Sequence, residues 1–285
     1  MTKLNPDGKN AKRRNHTVPR SLLCQWAVTE TTRKTIHYID CNDGSQKFEI
    51  GEKANFAVQE YQYVPIGTNG FRDETMENWF SPDESALITL ARETTAGTFG
   101  QSMSAAQKGK AIRACIALGY RSHYEFDKMT EFAASRDPQA TSEVIQRAII
   151  SHFWFIYGHK FQQFKNWDFT IFHSLPEKLF ICDRPLFDGT VHKDPVDMIA
   201  IPISPNAFLM GMPAEDPSAH GTLFWRNGST STLANFMNHH AMMRAREFLV
   251  GDPVQLAGVI DEMSQSKIHD RKSLDRFVLK KTALE

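Results

Sequence analysis

The stretch WDFTIFHSLPEKLFICD (167–183) decides the fold class, because the hydrophobic period changes from helical to alternating at this point. Its first part, WDFTIFHS (167–174), and its last part, KLFICD (178–183), alternate apolar and polar residues on either side of a Leu-Pro-Glu-Lys turn. Alternation around a turn that contains proline is typical of paired strands. The stretch therefore predicts a β-hairpin that follows a helical region.

Further strands are predicted on both sides of the helical region. RKTIHYID (33–40) and QKFEIG (46–51) flank the turn sequence CNDG (41–44), which is a strong signal for a hairpin. Later in the chain, MIAIPIS (198–204) and AFLMGM (207–212) predict two more strands. Strands are thus expected at both ends of the chain.

The middle of the chain carries helical signals. The segment 81–84, Ser-Pro-Asp-Glu, is a capping box that predicts the start of a helix ending at Gly97. A second helix is predicted from the capping box at 104–107 to about residue 129. A third is predicted over 141–164, where the density of aromatic residues indicates burial on more than one face. A last helix is predicted over 232–249.

This order of elements predicts an α+β fold, in which the helical middle segment packs on a mostly antiparallel sheet built from N-terminal and C-terminal hairpins. No linker rich in Gly, Ser or Pro separates the helices from the later strands, so 15–285 is predicted to be a single α+β domain. The polar and basic segment 1–14 is predicted to be a disordered tail that folding does not require.

Composition excludes some function classes. Lys and Arg total 33 and Asp and Glu total 33, so net charge gives no argument for a nucleic-acid or membrane partner. The four cysteines lack metal-binding spacing, and no segment resembles a secretory signal or a membrane span. The expectation is a soluble cytoplasmic protein with no membrane partner, in which the basic tail 1–14 offers a site for a protein partner.

Several short motifs are distributed along the chain: NHTVPRSLLCQW (15–26), ALGYRSHYE (117–125), KLFICDRPLFD (178–188), IAIPISPNAFLM (199–210) and NHHAMMRAREFLV (238–250). Together they resemble the domain of unknown function numbered 4238. Members of that family show a His-x-Val-Pro head, a Leu-Gln-x-x-Arg helix, a strand ending in Ser-Asp-x-Pro, a Pro-Leu-Ser-Pro strand and a C-terminal helix with Asn. The family has no established activity, so the resemblance implies positions rather than a reaction.

The resemblance singles out residues in each motif. These are His16, Pro19, Arg20, Arg121, Asp183, Pro185, Pro202, Ser204, Pro205 and Asn238. The chain departs from the family pattern at Cys182, where Ser is usual, at Arg184, where Asn is common, and at Gly119, where Gln is expected.

The chemistry of these residues supports a first hypothesis, an intracellular hydrolase or nuclease that acts on nucleic acid or a nucleotide in a toxin or phage-defence setting. Histidine has an ordinary pKa near neutrality, so His16 is a candidate general base, and Asp183 is expected within one side-chain layer of it, where it orients His16 or a divalent metal. No metal ligand is assigned. In this hypothesis, Arg121 and Asn238 are further catalytic residues. The residues expected to bind the substrate are Arg20, Arg184 and Ser204.

A second hypothesis explains the same residues without catalysis. Asp183 followed by Arg184-Pro185 is also a turn in which a carboxylate accepts hydrogen bonds from nearby backbone N–H groups. In this hypothesis the chain is a binding or regulatory module, and the polar residues form a structural network that fixes the segment 15–26 in the fold.

Overall fold

In the part of the chain that the structure describes, the strands form two sheets of five strands and one of two strands. The computed structural model describes residues 14–265, apart from 31, 52, 61, 67–72, 101–103, 192–195, 215–222 and 229–230. The predicted tail therefore lies outside the described residues, except for Arg14, which pairs with Glu60 in the small sheet.

The elements follow one another in the order strands, helices, strands, and this order confirms the α+β class. The strands are β1 Arg14–His16, β2 Val28–Glu30, β3 Arg33–Asp40, β4 Gln46–Ile50, β5 Val58–Glu60, β6 Trp167–His173, β7 Ile181–Cys182, β8 Phe187–Val191, β9 Val196–Ser204, β10 Ala207–Pro213, β11 Leu223–Asn227 and β12 Phe248–Val250. The helices are α1 Arg20–Leu23, α2 Thr75–Ala96, α3 Ala105–Tyr120, α4 His123–Arg136, α5 Ser142–Phe164, α6 Ser231–Arg244 and α7 Pro253–Gln265. Among the described residues, none of the helices is both long enough and apolar enough to cross a bilayer.

One sheet has the order β11-β6-β10-β9-β8, in which all pairs are antiparallel except the β11–β6 pair. The other has the order β2-β3-β12-β7, and β4 also pairs with β3. The hairpins β3–β4 and β9–β10 confirm the strands predicted from their turn chemistry. The predicted hairpin over 167–183 is wrong, because β6 joins the first sheet while β7 pairs with β12 in the second.

The start of α2 also differs from the prediction. The helix begins at Thr75, and Pro82 lies inside it rather than at its first position. The preceding turns bury Met76 and Phe80, and Phe80 packs edge-on against Tyr63. Tertiary packing outweighs the local signal here, since most helix stability in proteins comes from burial of an apolar face.

The end of α3 fixes the position of the later site residues. The helix stops at Tyr120 rather than near residue 129, because the Ser122 hydroxyl accepts a hydrogen bond from the Glu125 N–H and so begins α4. Gly119 lies against Leu186, whose side chain would come within 2.4 Å of a Cβ at that position. This close approach brings the junction between α3 and α4 next to the segment that follows β7.

Two other helix predictions need correction. Helix α5 has the predicted bounds, but it is buried on one face only, and Phe155 is 70% exposed. The last predicted helix ends at Arg244, because residues 248–250 instead form β12 between β3 and β7. The largest apolar cluster contains residues of both five-stranded sheets, of α2 and α3, and of the segment 15–26.

Candidate functional site

The segment 15–26 is tied into the fold by its apolar side chains and its backbone. Pro19 precedes α1, and its carbonyl accepts hydrogen bonds from the N–H groups of Leu22 and Leu23, which are both fully buried. The indole N–H of Trp26 donates to the Leu179 carbonyl at 2.6 Å. The C-terminal end of the segment therefore docks beside Leu179.

A cavity of about 440 Å3 opens where this segment meets α2. We call it the head pocket. Its lining comprises His16, Pro19, Arg20, Ser21, Glu77, Ser81, Glu84, Ser85, Ile88 and Arg121. Three of the residues predicted for the site, His16, Arg20 and Arg121, thus line one cavity, and Asp183 is not among its lining residues.

Arg121 forms the inner wall of the head pocket and is held on several sides. Its Nε donates to the Thr17 carbonyl at 3.0 Å, its Nη1 forms an ion pair with Glu84, and its guanidinium lies over the Phe80 ring. The Tyr63 hydroxyl donates to the Arg121 carbonyl. Burial opposes the charge, but Glu84 and the other acidic groups nearby outweigh it and raise the pKa of Arg121. These contacts make Arg121 a structural ion-pair partner.

Asp183 is fully buried at the end of β7, where it binds backbone groups. Its Oδ1 accepts hydrogen bonds from the N–H groups of Arg246 at 2.8 Å and Glu247 at 3.1 Å. Burial raises the pKa of the Asp183 carboxyl to about 6, although the backbone N–H groups partly offset this effect. Asp183 therefore joins the turn before β12 to the end of β7. It does not line the head pocket with His16, and its expected position within one side-chain layer of His16 stays a prediction.

Asn238 and Ser204 also bind backbone groups. The Asn238 Oδ1 accepts from the Phe180 N–H at 2.7 Å, and its Nδ2 donates to the Lys178 carbonyl at 2.9 Å. The Ser204 hydroxyl accepts from the Asn206 N–H in the β9–β10 turn. Both side chains are buried, so each is occupied by the local structure that it stabilises.

Replacement of Asn238 by alanine is expected to lower the free energy of unfolding by about 2 kcal/mol, because it leaves the Phe180 N–H and the Lys178 carbonyl without this partner. Urea denaturation followed by circular dichroism measures the change. Asn235→Ala is a matched control, since Asn235 is exposed on the same helix. Equal stability of the two variants would contradict the structural role of Asn238.

Arg184 belongs to a separate group of polar residues. Its guanidinium forms an ion pair with Glu125 and lies 4.5 Å from the centroid of the Tyr124 ring. Arg246 approaches the same ring at 5.4 Å. Arg184 therefore lies with residues of α4 and the turn before β12, rather than in the head pocket.

Several pocket residues were missed from the sequence. Glu77, Ser81, Glu84 and Ser85 face the head pocket from α2, and Ser81 and Glu84 had been assigned to a capping box. Their spacing of three, four and seven residues places them on one helix face, which is the signal that could have identified them. A second missed signal is Ser122 with Glu125, which marks the helix start beside the pocket.

Within the described part of the chain, no three His, Cys, Asp or Glu side chains come together in a way that could hold a metal ion. No family model, curated protein or solved structure matches this sequence. The resemblance to the domain of unknown function 4238 stays a prediction.

Proposed function

We propose that this protein is a binding module whose head pocket takes a small phosphorylated ligand of the nucleotide class. The observation that carries this proposal is that only some of the residues predicted for the site line the head pocket. Asp183, Asn238 and Ser204 bind backbone groups outside the head pocket, whereas His16 and Arg20 are among the residues that line it. The volume of about 440 Å3 lies in the range of small-molecule sites.

The two walls of the head pocket differ in hydrogen-bonding character. On the α2 side, the hydroxyls of Ser81 and Ser85 donate to helix carbonyls, so their lone pairs face outward as acceptors beside the carboxylates of Glu77 and Glu84. This wall suits a ligand that donates hydrogen bonds, such as the hydroxyls of a ribose.

The opposite wall is rich in donors. Arg20 is exposed at the start of α1, and a guanidinium can bind two oxygens of a phosphate at once. Arg121 is buried whereas Arg20 is exposed, so Arg20 is the cation of this wall that a phosphate from solvent can reach. A nucleoside phosphate offers donors to one wall and an anion to the other.

The remaining parts of the proposal concern context. We infer that the protein acts in the cytoplasm, because Cys24, Cys41, Cys115 and Cys182 are free thiols. We further propose that 15–285 acts as one domain and that the basic residues of 1–14 serve as an arm for a protein partner.

Isothermal titration calorimetry with nucleoside 5′-monophosphates, and with the matching nucleosides, tests the proposal. The wild type is expected to bind the monophosphates, and Arg20→Met is expected to weaken binding about tenfold or more by removing a charged donor. Arg33→Met, a change at an exposed position in β3, serves as the matched control and should bind like the wild type. Absence of binding to the wild type, or unchanged binding by Arg20→Met, would rule out the head pocket as the nucleotide site.

The second candidate function is hydrolysis of a phosphoester, in a nucleotide or nucleic acid, at the same pocket. It is favoured by the presence of both His16 and Arg20 in the lining of the cavity. His16 would take a proton from the attacking water while the phosphorus–oxygen bond breaks, and the leaving oxygen would gain a proton from solvent. This activity would suit a toxin or a phage-defence protein.

Chromatographic detection of products from nucleotides, single-stranded DNA and RNA, with and without Mg²⁺ or Mn²⁺, tests this candidate. Hydrolysis is expected to be lost in His16→Gln and retained in Asp183→Asn, since Asp183 does not line the pocket. Ligand binding without turnover in any condition would leave the binding module as the function.

A further inference from the structure

A second group of polar residues lies apart from the head pocket, where α6 meets the segment after β7. Arg184 and Arg246 both lie over the Tyr124 ring, and Arg184 forms an ion pair with Glu125. The Nη1 of Arg246 donates to the carbonyls of Met243 and Ala245. Each of these two guanidinium groups therefore has at least one acceptor.

A third arginine of this region, Arg244, lies at the end of α6. Its Nε is buried and has no hydrogen-bond acceptor among the described residues, and the same holds for the Nε of Arg184. A buried polar group without a partner is costly, and a charged one more so. The two arginines are near enough for the charge of Arg184 to act on Arg244, and an acceptor from outside the chain would satisfy both donors.

The groups around Arg244 do not neutralise it. Burial lowers the pKa of Arg244, and the charge of Arg184 lowers it further. Cys182, Glu125 and Asp183 act in the opposite direction without reversing this lowering of the pKa, and Tyr120 is a nearby titratable group from α3. A further negative charge in this region would therefore stabilise the charged form of Arg244.

His240 adds a group of the opposite hydrogen-bonding type, one helical turn before Arg244. Its ring packs edge-on against Phe187, with centroids 4.8 Å apart. A hydrogen bond to the Leu186 backbone favours its protonated form, so the backbone group is the carbonyl and a ring N–H donates to it. The other nitrogen, Nε2, is buried and has no partner among the described residues.

The charge state of His240 decides what its Nε2 can do. Burial, with the nearby charge of Arg244, lowers the pKa of His240 to about 3, so the ring is neutral near pH 7. Since the donating N–H is directed at Leu186, Nε2 carries a lone pair and accepts a hydrogen bond. Among the described residues, the region thus presents two donors without a partner, the Nε atoms of Arg184 and Arg244. It also presents two acceptors without one, His240 Nε2 and Asp183 Oδ2.

We propose that Arg184 Nε, Arg244 Nε and His240 Nε2 form a binding site for a protonated phosphate group, either inorganic hydrogen phosphate or a phosphomonoester. Such a group accepts hydrogen bonds from both arginines through its charged oxygens and donates its O–H to His240. Sulfate, ionised carboxylates and phosphodiesters lack that O–H. This site is separate from the head pocket and does not depend on the function proposed for it.

Calorimetric titration of the full-length protein at pH 6.5 with inorganic phosphate, ribose 5-phosphate and sulfate tests the site. Phosphate is expected to bind about tenfold or more tightly than sulfate, and Arg244→Met is expected to weaken phosphate binding about tenfold or more. Arg92→Met is the matched control, because Arg92 is exposed on α2, and it should bind like the wild type. Comparison of ribose 5-phosphate with inorganic phosphate shows whether the group binds free or as an ester.

A second variant separates the role of His240 from that of the arginines. His240→Leu is expected to bind phosphate and sulfate with similar affinity, since it keeps the donors and loses the acceptor. Thermal unfolding adds an independent measurement: saturating phosphate should raise the melting temperature of the wild type and leave that of Arg244→Met nearly unchanged. Absence of phosphate binding, or binding that Arg244→Met and Arg92→Met reduce equally, would overturn the proposal.

Discussion

Replacement of Arg121 by methionine is expected to lower the free energy of unfolding by about 3 kcal/mol or more, because it removes one partner of a buried ion pair and leaves the other charge unpaired. The change leaves the Glu84 carboxylate and the Thr17 carbonyl without their partner and removes the contact with the Phe80 ring. Methionine keeps most of the apolar stem, so the loss reports mainly on the charge and its hydrogen bonds. Urea denaturation at pH 7 measures it.

Two further variants identify the cause of that loss. Addition of Glu84→Gln to Arg121→Met should recover part of the stability, since it removes the unpaired charge. Arg92→Met, at an exposed position, should change the free energy of unfolding by no more than about 0.5 kcal/mol. If Arg121→Met has the same free energy of unfolding as the wild type, Arg121 is not a structural residue, and it becomes a candidate catalytic residue again.

The second large effect is expected at Asp183. Asp183→Ala should be less stable than Asp183→Asn by about 2 kcal/mol or more at pH 7, because alanine leaves the N–H groups of Arg246 and Glu247 without an acceptor. Asparagine keeps an oxygen for both hydrogen bonds. Parallel denaturation of the two variants gives the difference, and equal stability would contradict the backbone role of Asp183.

The pKa of Asp183 also predicts a dependence of stability on pH. Burial raises this pKa to about 6 from the ordinary value of 3.8 for an aspartate, so the wild type binds a proton here more readily when it is folded. The stability that this proton contributes is fully present below about pH 4 and is lost as the pH rises through about 6, with a total of about 3 kcal/mol.

Asp183→Asn has no such proton and should lack this part of the pH dependence. Denaturation of the wild type and Asp183→Asn at pH 4, 5, 6 and 7 isolates the contribution of Asp183, since the other groups titrate in both proteins. A constant stability difference across this range would show that the charge of Asp183 is not desolvated.

Local signals predicted much of the secondary structure. The CNDG turn (41–44) fixed the β3–β4 hairpin, and Ser104 with Gln107 marked the start of α3. Pairing between distant strands was not predictable in this way. Strands β6 and β7 are close in sequence and join different sheets, because β12, from a later part of the chain, pairs with β7.

The site was only partly predictable for a related reason. The types of side chain at His16 and Arg20 indicated a polar site, and both line the head pocket. Burial and hydrogen-bond partners decide whether a polar residue is structural, and sequence spacing shows neither. The structural roles of Arg121 and Asn238 could therefore not be predicted from the sequence. They follow from the ion pair of Arg121 with Glu84 and from the hydrogen bond that the Phe180 N–H donates to Asn238.

The central claim is that the head pocket binds the ligand while Asp183 belongs to the structural network. Its most direct test is the dissociation constant of a nucleoside 5′-monophosphate, measured by calorimetry for the wild type, Arg20→Met and Asp183→Asn under identical conditions. The predicted result is unchanged affinity for Asp183→Asn and an affinity about tenfold or more weaker for Arg20→Met. Loss of binding in folded Asp183→Asn, with unchanged binding in Arg20→Met, would contradict the claim.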